Sequence, residues 1–307
     1  MHRHAVTRRA ARAALGIIAM SLAAACAPAA NGGGGRIAFP GPAPRAAAGF
    51  AGFDTGIYPG DAALRAWRQA SPYQWVGYYL TAPCHRDVSW SGKREQLVAM
   101  GWGTAVIYLG QQDWGAMPSR APAAADTAAR ADSTAMRPQQ PAAVAAPPPA
   151  CSAANLSAAR GTADAADAIA RTAGEGFPSG AVVYLDVERV TAVSPALADY
   201  VRAWVDGVLA DGRYLPGIYV HRLNADAIGA AAGAAYTARG RAGGPPLWVT
   251  SSTGFSLELP PTASGVAGAT VWQGPLDVRE TWGGITLQID ANVANTRSPS
   301  APLPGSP

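Results

Sequence analysis

The stretch that decides the fold is "AVVYLDVERV", residues 181–190. Five apolar or aromatic residues lead into two carboxylates, Asp186 and Glu188, one residue apart. In a strand, alternate side chains share a face. Val182, Tyr184, Asp186 and Glu188 therefore point one way, and Val183, Leu185 and Val187 the other. The aliphatic face suits packing against helices. The face ending in two acids suits the inside of a barrel near its C-terminal rim. Burying carboxylates there is costly unless they are paired, hydrogen-bonded or used.

The rest of the chain supplies a matching pattern. Strand-like runs occur at 49–54, 73–80, 104–110, 181–188, 215–221, 246–251, 269–273 and 285–290. Helical segments at 61–70, 91–100, 158–173, 195–210 and 224–238 separate most of them. In the fourth helix Ser194 is placed to cap, Pro195 occupies the first turn and Gly212 stops it. Strands interleaved with helices in one domain of about this length predict an α/β fold, a single (β/α)8 TIM-type barrel. The sixth helix is expected to be irregular, because "LPPTASGVAGA" (259–269) carries little that favours helix. An open doubly wound sheet is the competing architecture.

The first 25 residues read as an export signal. Arg3, Arg8, Arg9 and Arg12 precede an apolar stretch from Ala13 to Ala25, and Cys26 follows three alanines. The Arg8–Arg9 pair is compatible with the twin-arginine route as well as the general one. Cys26 is placed for lipidation, so the chain is expected to be exported and either lipid-anchored to the cell envelope or secreted. A flexible tether is expected over 26–47, a disordered Ala/Pro-rich insertion over 115–150 and a disordered tail over 297–307, leaving the barrel at 48–296.

Removing the signal takes away four of the 24 basic residues and none of the 20 acidic ones, so the remainder is neutral. A neutral domain with Lys93 as its one lysine lacks the basic footprint of a nucleic-acid binder. Cys84 and Cys151 are expected to pair in an oxidising compartment. Two cysteines and the two histidines beyond the signal, His85 and His221, make a metal centre improbable, so no cofactor is expected. The histidines read as surface or satisfied loop residues.

The last strand repeats the design of residues 181–190, with Thr286, Gln288, Asp290 and Asn292 on one face. The first strand ends in Asp54. In a closed barrel these neighbours would bring Asp54, Asp186, Glu188 and Asp290 to one mouth. Crowded carboxylates shift one another's proton affinity, so one stays protonated while another ionises. Glycoside cleavage needs that division. Residues i and i+2 on a strand have Cα atoms roughly 6.5–7 Å apart, which leaves retaining and inverting mechanisms both open. Tyr184, Tyr219, Trp248 and Trp272 are candidate stacking surfaces for a sugar, and Gln273 a hydrogen-bonding partner. Against this stand blander roles: Glu188 paired with Arg189 or Arg222, Asp54 capping a turn, Asp290 binding loop amides, and the aromatics filling the core.

Taken in order, "GFDTG", "YLDVE", "GIYV", "LWVTS", "VWQ" and "IDANV" resemble the glycoside-hydrolase-like domain of unknown function 1906. That family is in turn similar to the family 25 glycoside hydrolases, the Chalaropsis-type lysozymes. The resemblance spans about residues 48–296 outside the insertion. It implies a barrel that cuts or binds peptidoglycan or another envelope polysaccharide, with Glu188 as proton donor, Asp186 and Asp54 as supporting acids, and Asp290 matching a family aspartate. It does not by itself imply turnover, so a non-catalytic glycan-binding barrel is the alternative. A glycan partner, a monomer and membrane contact only through Cys26 are the corresponding expectations.

Overall fold

The alternation becomes a closed barrel in the computed structural model, which describes residues 49–113 and 151–302. The strands are β1 (Phe50–Asp54), β2 (Trp75–Tyr79), β3 (Gly103–Leu109), β4 (Val182–Val187), β5 (Leu215–His221), β6 (Leu247–Thr250), β7 (Ala269–Gln273), β8 (Val278–Trp282) and β9 (Ile285–Ala294). β1 to β7 pair in chain order and in parallel. β9 then closes the ring by pairing with both β7 and β1. The helices α1 (Asp61–Ala70), α2 (Arg94–Ala99), α3 (Ala158–Gly174), α4 (Pro195–Asp211) and α5 (Ala225–Ala238) fall within a few residues of the expected segments. The expected capping of α4 is present: Ser194 Oγ accepts from the Leu197 N–H at 3.2 Å, and Gly212 ends the helix in the left-handed region.

Two features depart from a regular eight-fold repeat. A short 3-10 turn, Pro261–Ser264, replaces the sixth helix, as its composition foretold. The eighth barrel strand, β9, runs antiparallel to both its neighbours rather than parallel to them. A parallel return needs a crossover of a dozen or more residues, usually a helix. The chain instead spends Val278–Trp282 on a strand that pairs with β9 across Gly283 and Gly284. Both glycines have positive φ, 57° and 78°, as a two-residue hairpin turn requires. The hairpin packs on α1, where Trp67 Nε1 donates to the Ile285 carbonyl at 2.9 Å.

The two faces of each strand serve two cores. Val183, Leu185 and Val187 face outward with Leu197, Val201 and Trp204 of α4. Inside the ring lie Trp75, Ile107, Val182, Tyr184, Tyr219 and Trp248. Trp248 is the hub of this inner core, meeting Trp75, Tyr184 and Tyr219 edge to face at 5.5–5.6 Å between centroids. The lower barrel is thus a packed floor.

Residues from Arg297, expected to form a disordered tail, are built into the barrel as far as they are described. Ser300 Oγ accepts from the Val106 N–H at 2.7 Å and donates to the Val182 carbonyl at 2.6 Å. Ser298 Oγ accepts from the Thr104 N–H at 3.1 Å. Small hydroxyl side chains here satisfy backbone groups of β3 and β4, a use that a Ser/Pro-rich composition does not advertise.

Cys84 and Cys151 are joined, with Cα atoms 4.9 Å apart and a sequence separation of 67. A bridge of that span contributes about 2–4 kcal/mol to stability. The expected signal (1–25), the tether with Cys26 (26–47) and the insertion (115–150) lie outside the described residues. Among the described residues no helix is long and apolar enough to cross a membrane.

Candidate active site

Asp54 ends β1 on the lumen face, and Gly77 opposite it on β2 makes room. A Cβ added at Gly77 would sit 2.5 Å from that of Asp54. Asp54 is 2% exposed, and three donors hold it. Tyr79 O–H donates to Oδ1 at 2.6 Å, while the Gln273 and Asn292 amides each donate to Oδ2 at 2.7 Å. Every partner is a donor, which suits the ionised form. Burial nevertheless outweighs the three donors and raises its pKa above the usual value.

Asp186, on β4, is 4% exposed and differs sharply from Asp54. Its Oδ1 is buried without a hydrogen-bond partner. Burial first, then the charges of Glu188 and Asp54, push its pKa well above the ordinary range. Glu188 stands one step higher and is only half-buried. Its pKa too is raised, by burial and then by Asp54, with a bond from the Arg189 backbone partly opposing. Among the described residues neither acid takes part in a salt bridge, so the pairing with Arg189 or Arg222 is not seen. Asp290 is in direct register with Asp54 across β1 and β9. It reaches the mouth as β9 enters the barrel rather than leaves it, and its Oδ1 accepts from the Asp277 N–H at 2.6 Å.

Four acids from β1, β4 and β9 therefore meet at one end of the barrel. Tyr79 senses three of them, Asp54, Asp186 and Asp290, all of which disfavour its ionisation after burial itself. Such a group gives up its protons in coupled steps. All three carboxyls have raised proton affinity; Asp54 has three donors that favour its ionised form, Asp186 Oδ1 has no partner, and Glu188 is the one that stands partly exposed.

The residues expected to bind sugar have other placements. Tyr184 and Trp248 are enclosed in the floor, and Trp272 is fully buried in the wall with Phe255 edge-on at 5.1 Å. None of the three offers a ring face to a ligand. Gln273 is spent on protein partners: its Oε1 accepts from Tyr219 O–H at 2.5 Å and its Nε2 donates to Asp54. Trp248 Nε1 donates to Asn292 Oδ1 at 2.9 Å, so the floor tryptophan orients the amide that holds Asp54. These side chains form a frame around the acid rather than a platform for a sugar.

Three framing residues were given no role by the sequence reading. Tyr79 shares the inward face of β2 with Trp75 and Gly77, so alternation alone could have found it. Asn292 sits on the polar face of the last strand. Gln112, just past β3, carried no signal beyond being polar. Its Oε1 accepts from the Glu188 N–H at 3.0 Å and its Nε2 donates to the Asp186 carbonyl at 2.8 Å. Gln112 is in turn fixed by its neighbour, since the Gln111 N–H donates to Tyr200 O–H, which donates to Asp164 of α3. Gln112→Ala leaves both groups of the β4 end unpaired, and a loss of about 1–3 kcal/mol in denaturant unfolding is expected.

A family model, the Rv2525c-like, glycoside hydrolase-like domain, matches residues 65–294. Among solved structures the fold is similar to that of an uncharacterized protein from B. stearothermophilus, with a TM-score of 0.50 and 18% identity over 80% of this chain and 96% of that one. It is also similar to the spore cortex lytic enzyme SleM of Clostridium perfringens, with a TM-score of 0.51 and 12% identity over 82% of this chain and 69% of that one. At these identities the likeness bears on the fold alone. No curated protein matches the chain.

Proposed function

Because the chain belongs to the Rv2525c-like, glycoside hydrolase-like domain family, we propose that it acts on peptidoglycan or another cell-envelope polysaccharide by hydrolysing a glycosidic bond. Glu188 is the proton donor to the leaving oxygen, and Asp54 and Asp186 are the supporting carboxylates. The chain is exported, and Cys26 is the site of a lipid anchor that keeps it at the envelope. The observation that carries this reading is the division of labour among the acids: one half-buried carboxyl of raised proton affinity above two enclosed ones, one of which has three donors. The spore cortex lytic enzyme of like fold is in keeping with a wall substrate.

Purified protein incubated with peptidoglycan is expected to release reducing ends. The rate should fall as pH rises through the elevated pKa of Glu188, because only the protonated carboxyl can donate. That limb lies above the ordinary glutamic acid value of 4.5. Rates that keep rising into the alkaline range would exclude Glu188 as the acid. The near-complete enclosure of Asp54 and Asp186 favours a second reading, a glycan-binding barrel without turnover. It predicts saturable binding of wall fragments with no reducing ends at any pH.

A further inference from the structure

His221 ends β5 on the face that lines the barrel. Two residues earlier on that face, the ring of Tyr219 lies against Trp248 in the inner core. β4 and β5 pair Asp186 with Tyr219 and Val187 with Val220. Continued by one residue beyond the end of β4, this register sets Glu188 beside His221 on the mouth face. His221 is partly exposed there.

Its protonation pattern is set by the backbone. Nδ1 accepts from the Leu223 N–H at 3.2 Å. In a neutral imidazole one nitrogen accepts and the other donates, so this bond assigns the proton to Nε2. Burial first, then the guanidinium groups of Arg189 and Arg222, keep the ring's pKa below its ordinary value. The charged groups that act on it are Arg189, which follows Glu188, and Arg222 on its own turn. Thr250, paired with it across β6, carries no charge.

We propose that His221 is a substrate-binding residue whose Nε2–H donates to an acceptor oxygen, hydroxyl or amide carbonyl, of the sugar lying against Glu188. This rests on the glycan reading of the mouth and adds a contact to it. A neutral donor has a further advantage at this position. A cation beside Glu188 would favour the carboxylate and remove the proton that the acid must give.

Two measurements on the full chain test the proposal. Nitrogen NMR with labelled histidine should show His221 as the Nε2–H tautomer near neutral pH, titrating below 6.5. Binding of soluble peptidoglycan fragments is then measured by calorimetry in a Glu188→Gln background, where turnover does not interfere. Adding His221→Ala should weaken binding about 5–10-fold, the worth of one neutral hydrogen bond, while His221→Gln stays within about 2-fold because its amide also donates. Unchanged affinity in the alanine variant, or an Nδ1–H tautomer, overturns the proposal and leaves the glycan reading standing. Failure of the Glu188→Gln protein to bind any fragment overturns both.

Discussion

Glu188→Gln is expected to lower the release of reducing ends from wall glycan by about 10²–10⁴-fold, the range for removal of a general acid. Binding of the same glycan should change little. Glutamine keeps the shape of the side chain and a hydrogen-bonding head, but it has no proton to give a leaving oxygen. The backbone N–H of Glu188 stays on Gln112, so the loop above β4 should keep its conformation. A fall in rate through affinity alone, with turnover preserved at saturating glycan, would move the proton donor elsewhere.

Asp186→Asn should produce two opposite effects. Activity falls, because the carboxyl nearest below Glu188 no longer contributes to the coupled charge of the site. Stability at neutral pH rises. In the folded chain Asp186 binds its proton more tightly than in the unfolded chain, since burial and the charges of Glu188 and Asp54 raise its pKa well above 3.8. Between those two values the folded state holds more protons, so stability declines as pH rises through the interval and stays low above it. Asparagine removes that decline. The gain at neutral pH should be about 1 kcal/mol, seen as a melting temperature higher by about 2–4 °C, and should vanish in acid where Asp186 is protonated in both states. A variant less stable than the parent at neutral pH would mean that Asp186 is stabilising where it stands.

The trade between stability and chemistry is built at the level of single strands. Residues 182–188 send three aliphatic side chains outward into the helices and four others inward, with the acids uppermost. That arrangement was legible in residues 181–190, because the period of a strand fixes which side chains share a face. The five helices were legible too, α4 most plainly, from its capping serine, its first-turn proline and its terminal glycine. Depth along the barrel was not. Alternation says that Tyr184, Tyr219 and Trp248 point inward, but how high each sits depends on the register between strands. Register put Trp248 in the floor, where it holds Asn292, and left only Glu188 and His221 of β4 and β5 at the rim.

The missed strand β8 has a local explanation. "VRETWGGIT" contains two glycines between alternating runs, a hairpin signal outweighed by the expectation of a parallel eighth strand. Asp290 consequently reached the mouth by a route opposite to the one expected. The hold on Asp54 was beyond reach of any local pattern, since Asn292 lies 238 residues away in sequence. Contacts of that kind are dictated by ring closure.

The most direct test is a crystal structure of the Glu188→Gln variant soaked with a soluble peptidoglycan fragment. A glycosidic oxygen should lie within about 2.6–3.2 Å of the residue 188 side chain, with the sugar inside the mouth framed by Asp54, Asp186 and Asp290. Fragment bound elsewhere on the molecule, with the mouth holding only water, would contradict the assignment of that mouth to glycan cleavage.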